Sequence, residues 1–230
     1  MDKYYDYLNG TKYTNCLNYT FKSNNYLNRI EFIIGRCKNK TVLHFGFVDH
    51  NFDTINSKIN SDTWLHKKIM DVSNKVYGID IIQKEIVKLR KKGYSNLYCV
   101  NILKDKIPTK LKKIYFDEIV LGKILEHINN PVRFLSIIKK NFKFKEIIIT
   151  VPNAFYIGNF LNCFRNTECV NSDHRYWFTP YTISKNVYLS GLSVKKMFFS
   201  YNRLNKYNLI LRFIKFKFPF LNSTIVLLVK

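Results

Sequence analysis

The sequence predicts an α/β fold, a three-layer sandwich around a mostly parallel seven-stranded sheet, and three observations predict it. From Lys40 onward, apolar runs of strand length alternate with amphipathic segments, the pattern of βα units. Runs such as Glu146-Ile-Ile-Ile-Thr-Val151 are nearly continuous β-branched stretches, which strands buried on both faces need. No Pro/Gly/Ser-rich linker and no internal repeat interrupts the series. With 230 residues, 47% of them hydrophobic, the chain can bury one large core without disulfides or a structural metal.

The elements follow in order. Thr41 to Phe45 reads as a first strand ending at Gly46, and Thr63 to Val72 as a helix with Asp62 or Thr63 as its cap. Val76 to Ile79 is a second strand ending at Asp80. Gln83 to Lys92 is a helix whose apolar face carries Ile86, Val87 and Leu89, stopped at Gly93. Asn96 to Val100 and Phe116 to Leu121 are the third and fourth strands. Pro131 to Asn141 is a helix opened by proline. Glu146 to Val151 is the fifth strand, Tyr181 to Leu189 a helix closed by Gly191, and Leu192 to Phe199 and Thr224 to Val229 the last two strands. Residues 1–39 form a helical preface. Residues 40–230 form one domain, with a basic aromatic insertion at 203–221.

Lysine and arginine number 38 against 16 acidic residues, a net charge of +22. Such a field attracts phosphates or anionic lipid surfaces, although a codon bias toward Lys, Asn, Ile, Tyr and Phe produces the same surplus. Five cysteines include no C-x-x-C pair and no metal-ligand spacing, so reduced thiols and no metal are expected. The first ten residues lack the apolar core of a secretory signal. The most apolar stretch, Leu209 to Val229, is broken by Arg212, Lys215, Lys217 and Pro219, short of the roughly 18 apolar residues that a spanning helix needs. A cytoplasmic protein is expected, with peripheral membrane contact as the variant that the basic tail suggests.

In an open α/β sheet, ligands sit beyond the carboxyl ends of the strands. The residues there are His44, Phe45 and Gly46 after the first strand, with Asp49 in the turn. Asp80 and Ile81 follow the second strand, Asn101 and Ile102 the third, and Gly122 and Lys123 the fourth. Asp80 can accept hydrogen bonds from both hydroxyls of a ribose. Gly46-Phe-Val-Asp-His50 is not G-x-G-x-x-G, and Gly46 lies farther from Asp80 than the roughly 20 residues of a dinucleotide site, so a nicotinamide enzyme is disfavoured. His66, on the following helix, either faces the same pocket or is a polar residue of an amphipathic helix.

Four segments resemble the successive motifs of class I S-adenosylmethionine-dependent methyltransferases, enzymes with a Rossmann-like fold. They are Val42-Leu-His-Phe-Gly46, Val76-Tyr-Gly-Ile-Asp80, Phe116-Asp-Glu-Ile-Val-Leu121 and Ile148-Ile-Thr-Val-Pro-Asn153. Glu126-His-Ile-Asn-Asn-Pro131 and Asn171-Ser-Asp-His-Arg-Tyr-Trp-Phe-Thr-Pro180 resemble a bacterial branch that modifies small molecules or glycans. The resemblance implies S-adenosyl-L-methionine as cofactor, with its methionine portion at the Gly46 turn, its ribose on Asp80 and its adenine between Asn101 and Ile102. This chain departs from the family in placing His44 where an acid is usual and in having a single glycine in the turn. A protonated His44 about 6 Å from the cofactor's positive groups would cost roughly 3 kcal/mol at an effective dielectric near 20, so a competent His44 must be neutral.

Methyl transfer from a sulfonium is an in-line displacement, which requires alignment and exclusion of water. A hydroxyl acceptor can also need a base, and histidine suits neutral pH. His174 and His127 are the candidate catalytic residues. Their structural alternatives are a packed turn around Asp173 and a polar helix entry beside Glu126. The expected function is therefore methyl transfer to a hydroxyl or amine of a small molecule or sugar. Lipid-linked glycans would fit the basic aromatic tail as partners. The alternatives are a methyltransferase-like binding module without catalysis and a nucleic-acid methyltransferase, the latter suggested by net charge alone.

Overall fold

The computed structural model describes residues 2–20, 26–48, 52–200 and 217–230. In chain order the elements begin with α1 (Tyr5–Leu8), β1 (Tyr26–Leu27), α2 (Arg29–Cys37), β2 (Thr41–Phe45), α3 (Phe52–Asn60) and α4 (Leu65–Val72). β3 (Lys75–Asp80), α5 (Gln83–Lys91), β4 (Leu97–Cys99), α6 (Thr109–Lys113), β5 (Tyr115–Gly122) and α7 (Pro131–Asn141) follow. The chain finishes with β6 (Lys143–Pro152), α8 (Ile157–Cys163), α9 (Pro180–Leu189), β7 (Val194–Ser200) and β8 (Thr224–Val229).

One mixed sheet carries the fold, in the order β1-β7-β8-β6-β5-β2-β3-β4. β8 runs antiparallel to both of its neighbours, and the other pairings are parallel. Among the described residues all seven expected strands are present, and one short strand joins them at the edge. The addition is β1, where Tyr26 and Leu27 pair with Phe199 and Ser200 at the edge. A two-residue strand has no periodicity to detect, so its origin is the long-range pairing alone.

Helices cover both faces. Leu111 of α6, Phe134, Leu135 and Ile138 of α7, and Ile183 and Val187 of α9 pack with Leu43, Phe45, Ile119, Leu121, Ile147 and Ile149. On the opposite face Ile33 and Cys37 of α2 and Ile69 of α4 pack on Val42, Val76, Val120 and Ile148. The alternation within β2, with Val42 to one side and Leu43 and Phe45 to the other, is the period-two signature of a strand buried twice. A third cluster joins Ile55 of α3 and Ile86 and Leu89 of α5 to Phe47, Trp64 and Leu97.

The end residues set the helix positions. Asn28 caps α2 by accepting from the amides of Ile30 and Glu31, a contribution of about 1 kcal/mol. Thr179 and Thr182 form a capping box at α9. The helix expected from Thr63 begins at Leu65 behind Trp64, which makes no side-chain cap. Asp62 instead accepts from Lys68 Nζ at 2.6 Å. At the amino end of the sheet, Arg36 of α2 bridges Glu118 and Glu146, while Lys40 and Lys195 hold the same two carboxylates at 2.7 and 2.8 Å. This network fixes α2 along β5 and β6 and brings its first residue, Arg29, to the carboxyl end. Among the described residues no helix is long and apolar enough to cross a membrane. Most of the basic aromatic insertion, from 203 to 216, lies outside the described residues.

Candidate functional site

The carboxyl ends of β2, β3, β4 and β5 meet at one side of the sheet, so the topology gathers the residues singled out in the sequence. Gly46 turns the chain out of β2 with φ +66, a conformation that costs glycine little. Its amide donates to Ile79 O at 2.8 Å, and a Cβ there would stand 2.8 Å from Ile124 Cδ1. Ile124, carried by the chain after β5, therefore closes against the turn. Phe47 is buried with its ring on Gly78, where a Cβ would meet it at 2.7 Å. The single-glycine turn thus sends a phenylalanine into the α3–α5 core.

Asp80 ends β3 and is buried. One carboxylate oxygen accepts from Val48 N at 2.8 Å, and the other from Ile81 N at 2.7 Å and Ile82 N at 3.3 Å. The carboxylate thereby ties the Gly46–Val48 turn to the start of α5. Ile81 is exposed beside it, as an apolar wall of a nucleoside pocket would be. Asn101 is partly engaged in its own turn, its amide donating to Asp105 and its side chain accepting from Leu103 N. Ile102 is buried in the main core rather than open to a ligand. Asp49 falls outside the described residues.

His44 and His66 form a buried pair, with Nδ1 atoms 3.1 Å apart and rings stacked. One ring must donate and the other accept. Burial, followed by the charge of Arg29, lowers the His44 pKa to about 3. Burial, followed by His44, holds His66 well below its ordinary value. The neutrality required of His44 is thus built in. His66 also packs on Phe47 and Trp64, while the Trp64 indole N–H donates to Phe47 O at 2.8 Å.

A second constellation lies just beyond β5. Lys123 has φ +60 and donates its amide to Thr150 O at 2.9 Å. Burial, then the nearby charge of Arg29, lowers its pKa. Gly122 lies beside His44 and Arg29: a Cβ there would stand in ordinary contact, 3.4 Å from Leu65 Cδ2, 3.8 Å from His44 Nε2 and 3.9 Å from Arg29 Nη1. Glu126 is fully buried with no hydrogen-bond partner for either carboxylate oxygen, and burial raises it to about 7. His127 Nδ1 lies 2.9 Å from Asp173 Oδ2, and the His127 and His174 rings meet edge to face. Burial, then His127, lowers His174, whose Nδ1 is buried without a partner.

The segment around His174 is strapped to this turn. Arg175 N donates to Glu126 O at 2.7 Å, Arg175 Nη1 to His127 O at 2.6 Å, and Tyr176 Oη to Asn129 O at 2.7 Å. The two candidate histidines are thereby neighbours although 46 residues separate His127 from Asp173. One donor atom from each of Glu126, His127 and His174 falls within 4.8 Å of the others, a set that could hold a divalent cation. Lys123 and Arg29 place positive charge toward the same carboxylate. The sequence reading omitted Glu126, Arg29 and Asp173 from the site. A carboxylate beside a histidine after a strand end was the available signal for Glu126, whereas Arg29 precedes the first predicted strand and carries none. An open depression on α3, lined by Asp53, Asn56, Ser57, Asn60 and Ser61, lies away from both constellations and brings together no catalytic pair.

The glycine turn and the acid at the neighbouring strand end lie side by side, joined by the hydrogen bond from Val48 N to Asp80. Asp80 differs from a free ribose acceptor because backbone amides already share it. No sequence-family profile and no curated protein matches the chain. Solved structures do. A SAM dependent methyltransferase from Archaeoglobus fulgidus is 17% identical with TM-score 0.52, over 88% of this chain and 91% of the other. The small RNA methyltransferase HEN1 is 17% identical with TM-score 0.56, over 88% of this chain and 24% of the other. Magnesium protoporphyrin IX methyltransferase from Synechocystis PCC 6803, solved with bound SAH, is 12% identical with TM-score 0.55, over 87% and 80%. At these identities the likeness establishes architecture: the chain has the Rossmann-like fold of S-adenosylmethionine-dependent methyltransferases.

Proposed function

We propose that this chain is an S-adenosyl-L-methionine-dependent methyltransferase acting on a hydroxyl or amine of a small molecule or sugar. The observation that carries the reading is the convergence of two constellations at one end of the sheet. One, Gly46 with Asp80, suits a nucleoside cofactor, and the other, His127 with His174 and Glu126, suits an acceptor. The cofactor would lie along the Gly46 turn, with Asp80 toward its ribose and Ile81 and Asn101 near its adenine. His44, neutral on its pair with His66, adds no repulsion to the cofactor's positive charge. When bound, the cofactor supplies an electrophilic methyl group.

This chain's residues orient the acceptor and manage its proton. His127 Nδ1 lies 2.9 Å from Asp173 Oδ2; the tautomer that donates Nδ1–H to this carboxylate would turn Nε2 toward the acceptor's proton. The Arg175 and Tyr176 contacts hold that imidazole against the turn after β5. Glycan modification is the preferred setting, supported by the resemblance in 126–131 and 171–180. The activities of the similar structures, on a small RNA and a magnesium protoporphyrin, belong to those proteins, and one fold hosts many acceptors.

The test is transfer of labelled methyl from S-adenosylmethionine to a panel of sugars and small hydroxyl or amine compounds. Incorporation that His127→Ala and His174→Ala abolish supports the assignment. Absence of incorporation, or incorporation indifferent to both substitutions, contradicts it.

A further inference from the structure

We propose that α8 and its flanks form a docking surface for an anionic membrane, so that the acceptor is met at a lipid surface. This extends the function proposed above by naming where the acceptor resides, and it rests on that reading only for the acceptor. The first observation is the character of α8. Its sequence, Ile-Gly-Asn-Phe-Leu-Asn-Cys, places no residue in the core. Phe160 and Leu161 are each 47% exposed, and Phe164, immediately beyond the helix, is 86% exposed. Phe155 before the helix and Val170 after it are exposed as well. Scattered single apolar residues on a surface need no explanation, whereas several large ones within one short segment mark a contact surface.

The second observation is electrostatic. Between Asn153 and Val170 the charged residues are Arg165, beside Phe164, and Glu168. The Glu168 carboxylate accepts the Trp177 indole N–H at 2.8 Å. Beyond Asp173 the sequence contains ten lysines and arginines and no acid, within a chain of net charge +22. Exposed Phe and Leu side chains on a chain of net charge +22 supply the two ingredients of interfacial binding, apolar insertion and attraction to anionic headgroups. Leu161 and Val170 offer no ring for stacking on bases, so a lipid surface fits the patch better than a nucleic acid.

The third observation is position. α8 follows β6 at the carboxyl end of the sheet, the end that carries Gly46, Asp80 and Glu126. Asn153 and Ala154 pair with Phe178, which closes the chain back toward the segment that straps His127. Phe155 also meets the ring of Phe220, near the exposed Phe218. A membrane on α8 therefore lies at the end of the sheet where an acceptor must enter.

Vesicle co-sedimentation tests this without cofactor or acceptor. Phosphatidylcholine vesicles with and without phosphatidylglycerol are used, with wild type and the triple variant F160S/L161S/F164S. The wild type is expected to bind the anionic vesicles, more weakly as salt rises. The triple variant, whose unchanged thermal melt shows an intact fold, is expected to bind them at least about tenfold more weakly. The proposal is overturned if the wild type does not bind, if it binds neutral vesicles equally, or if the triple variant binds as well as wild type. It is equally overturned if the substitutions instead abolish self-association or binding of single-stranded RNA while vesicle binding persists. Loss of the methyltransferase reading would appear separately, as an absence of S-adenosylmethionine binding.

Discussion

His44 Nδ1 sits 3.1 Å from His66 Nδ1 inside the core, behind the Gly46 turn. Both rings are held neutral by burial, so the unfolded chain binds protons on them more readily than the fold does. Their contribution is fully present above an unfolded pKa of about 6.5 and is lost as pH falls toward the folded value, which is about 3 for His44. Between pH 6.5 and 4.5 this costs about 2 to 3 kcal/mol for His44. Urea denaturation at the two pH values, for wild type and a His44→Leu/His66→Leu double variant, should show a smaller acid loss in the variant. An equal loss would mean that the pair does not govern acid sensitivity.

Glu126 supplies the opposite sign. Its folded pKa, raised to about 7 by burial, exceeds the unfolded value. The fold therefore binds the proton more tightly, and stability declines as pH rises from about 4.5 through 7. Glu126→Gln should flatten that decline and gain about 2 to 3 kcal/mol at pH 8. A pH series of thermal melts checks it, and an unchanged slope would argue against a buried, unpaired carboxylate.

Asp80 has a structural task in addition to its proposed ribose contact. Because it accepts from Val48, Ile81 and Ile82 amides, Asp80→Ala should destabilise the fold by about 1 to 3 kcal/mol. It should also weaken S-adenosylmethionine binding by roughly tenfold to a hundredfold. Calorimetry on protein confirmed folded by circular dichroism separates the two effects. Full affinity in the folded variant would remove Asp80 from the cofactor site.

Gly46→Ala combines two penalties, φ +66 and a Cβ at 2.8 Å from Ile124. A loss of about 1 to 3 kcal/mol is expected. Adding Ile124→Ala should recover the steric part and leave the conformational part, a non-additivity that a double-mutant cycle reads directly. Strict additivity would indicate that Ile124 does not close on the turn.

The sequence made the architecture legible where local pattern and tertiary burial agree. Pro131–Asn141 and Thr224–Val229 have the bounds that proline placement and apolar runs predict. α3, α6 and α8 went unread, because short helices with weak or exposed apolar faces lack the periodic signal. β1 depends entirely on its pairing with β7. At the site, the strand-end positions of Gly46 and Asp80 were readable, but the partners were not. Which amides Asp80 accepts, how His66 meets His44 and how Asp173 reaches His127 follow from contacts between distant stretches of chain. The charge of Glu126 likewise depends on the burial that those contacts create.

Titration calorimetry of the wild-type chain with S-adenosylmethionine and its demethylated product tests the central claim most directly. One binding site is expected, with affinity reduced in Asp80→Ala. No detectable heat for either ligand at near-millimolar concentrations would contradict it, and would leave a methyltransferase fold without its cofactor.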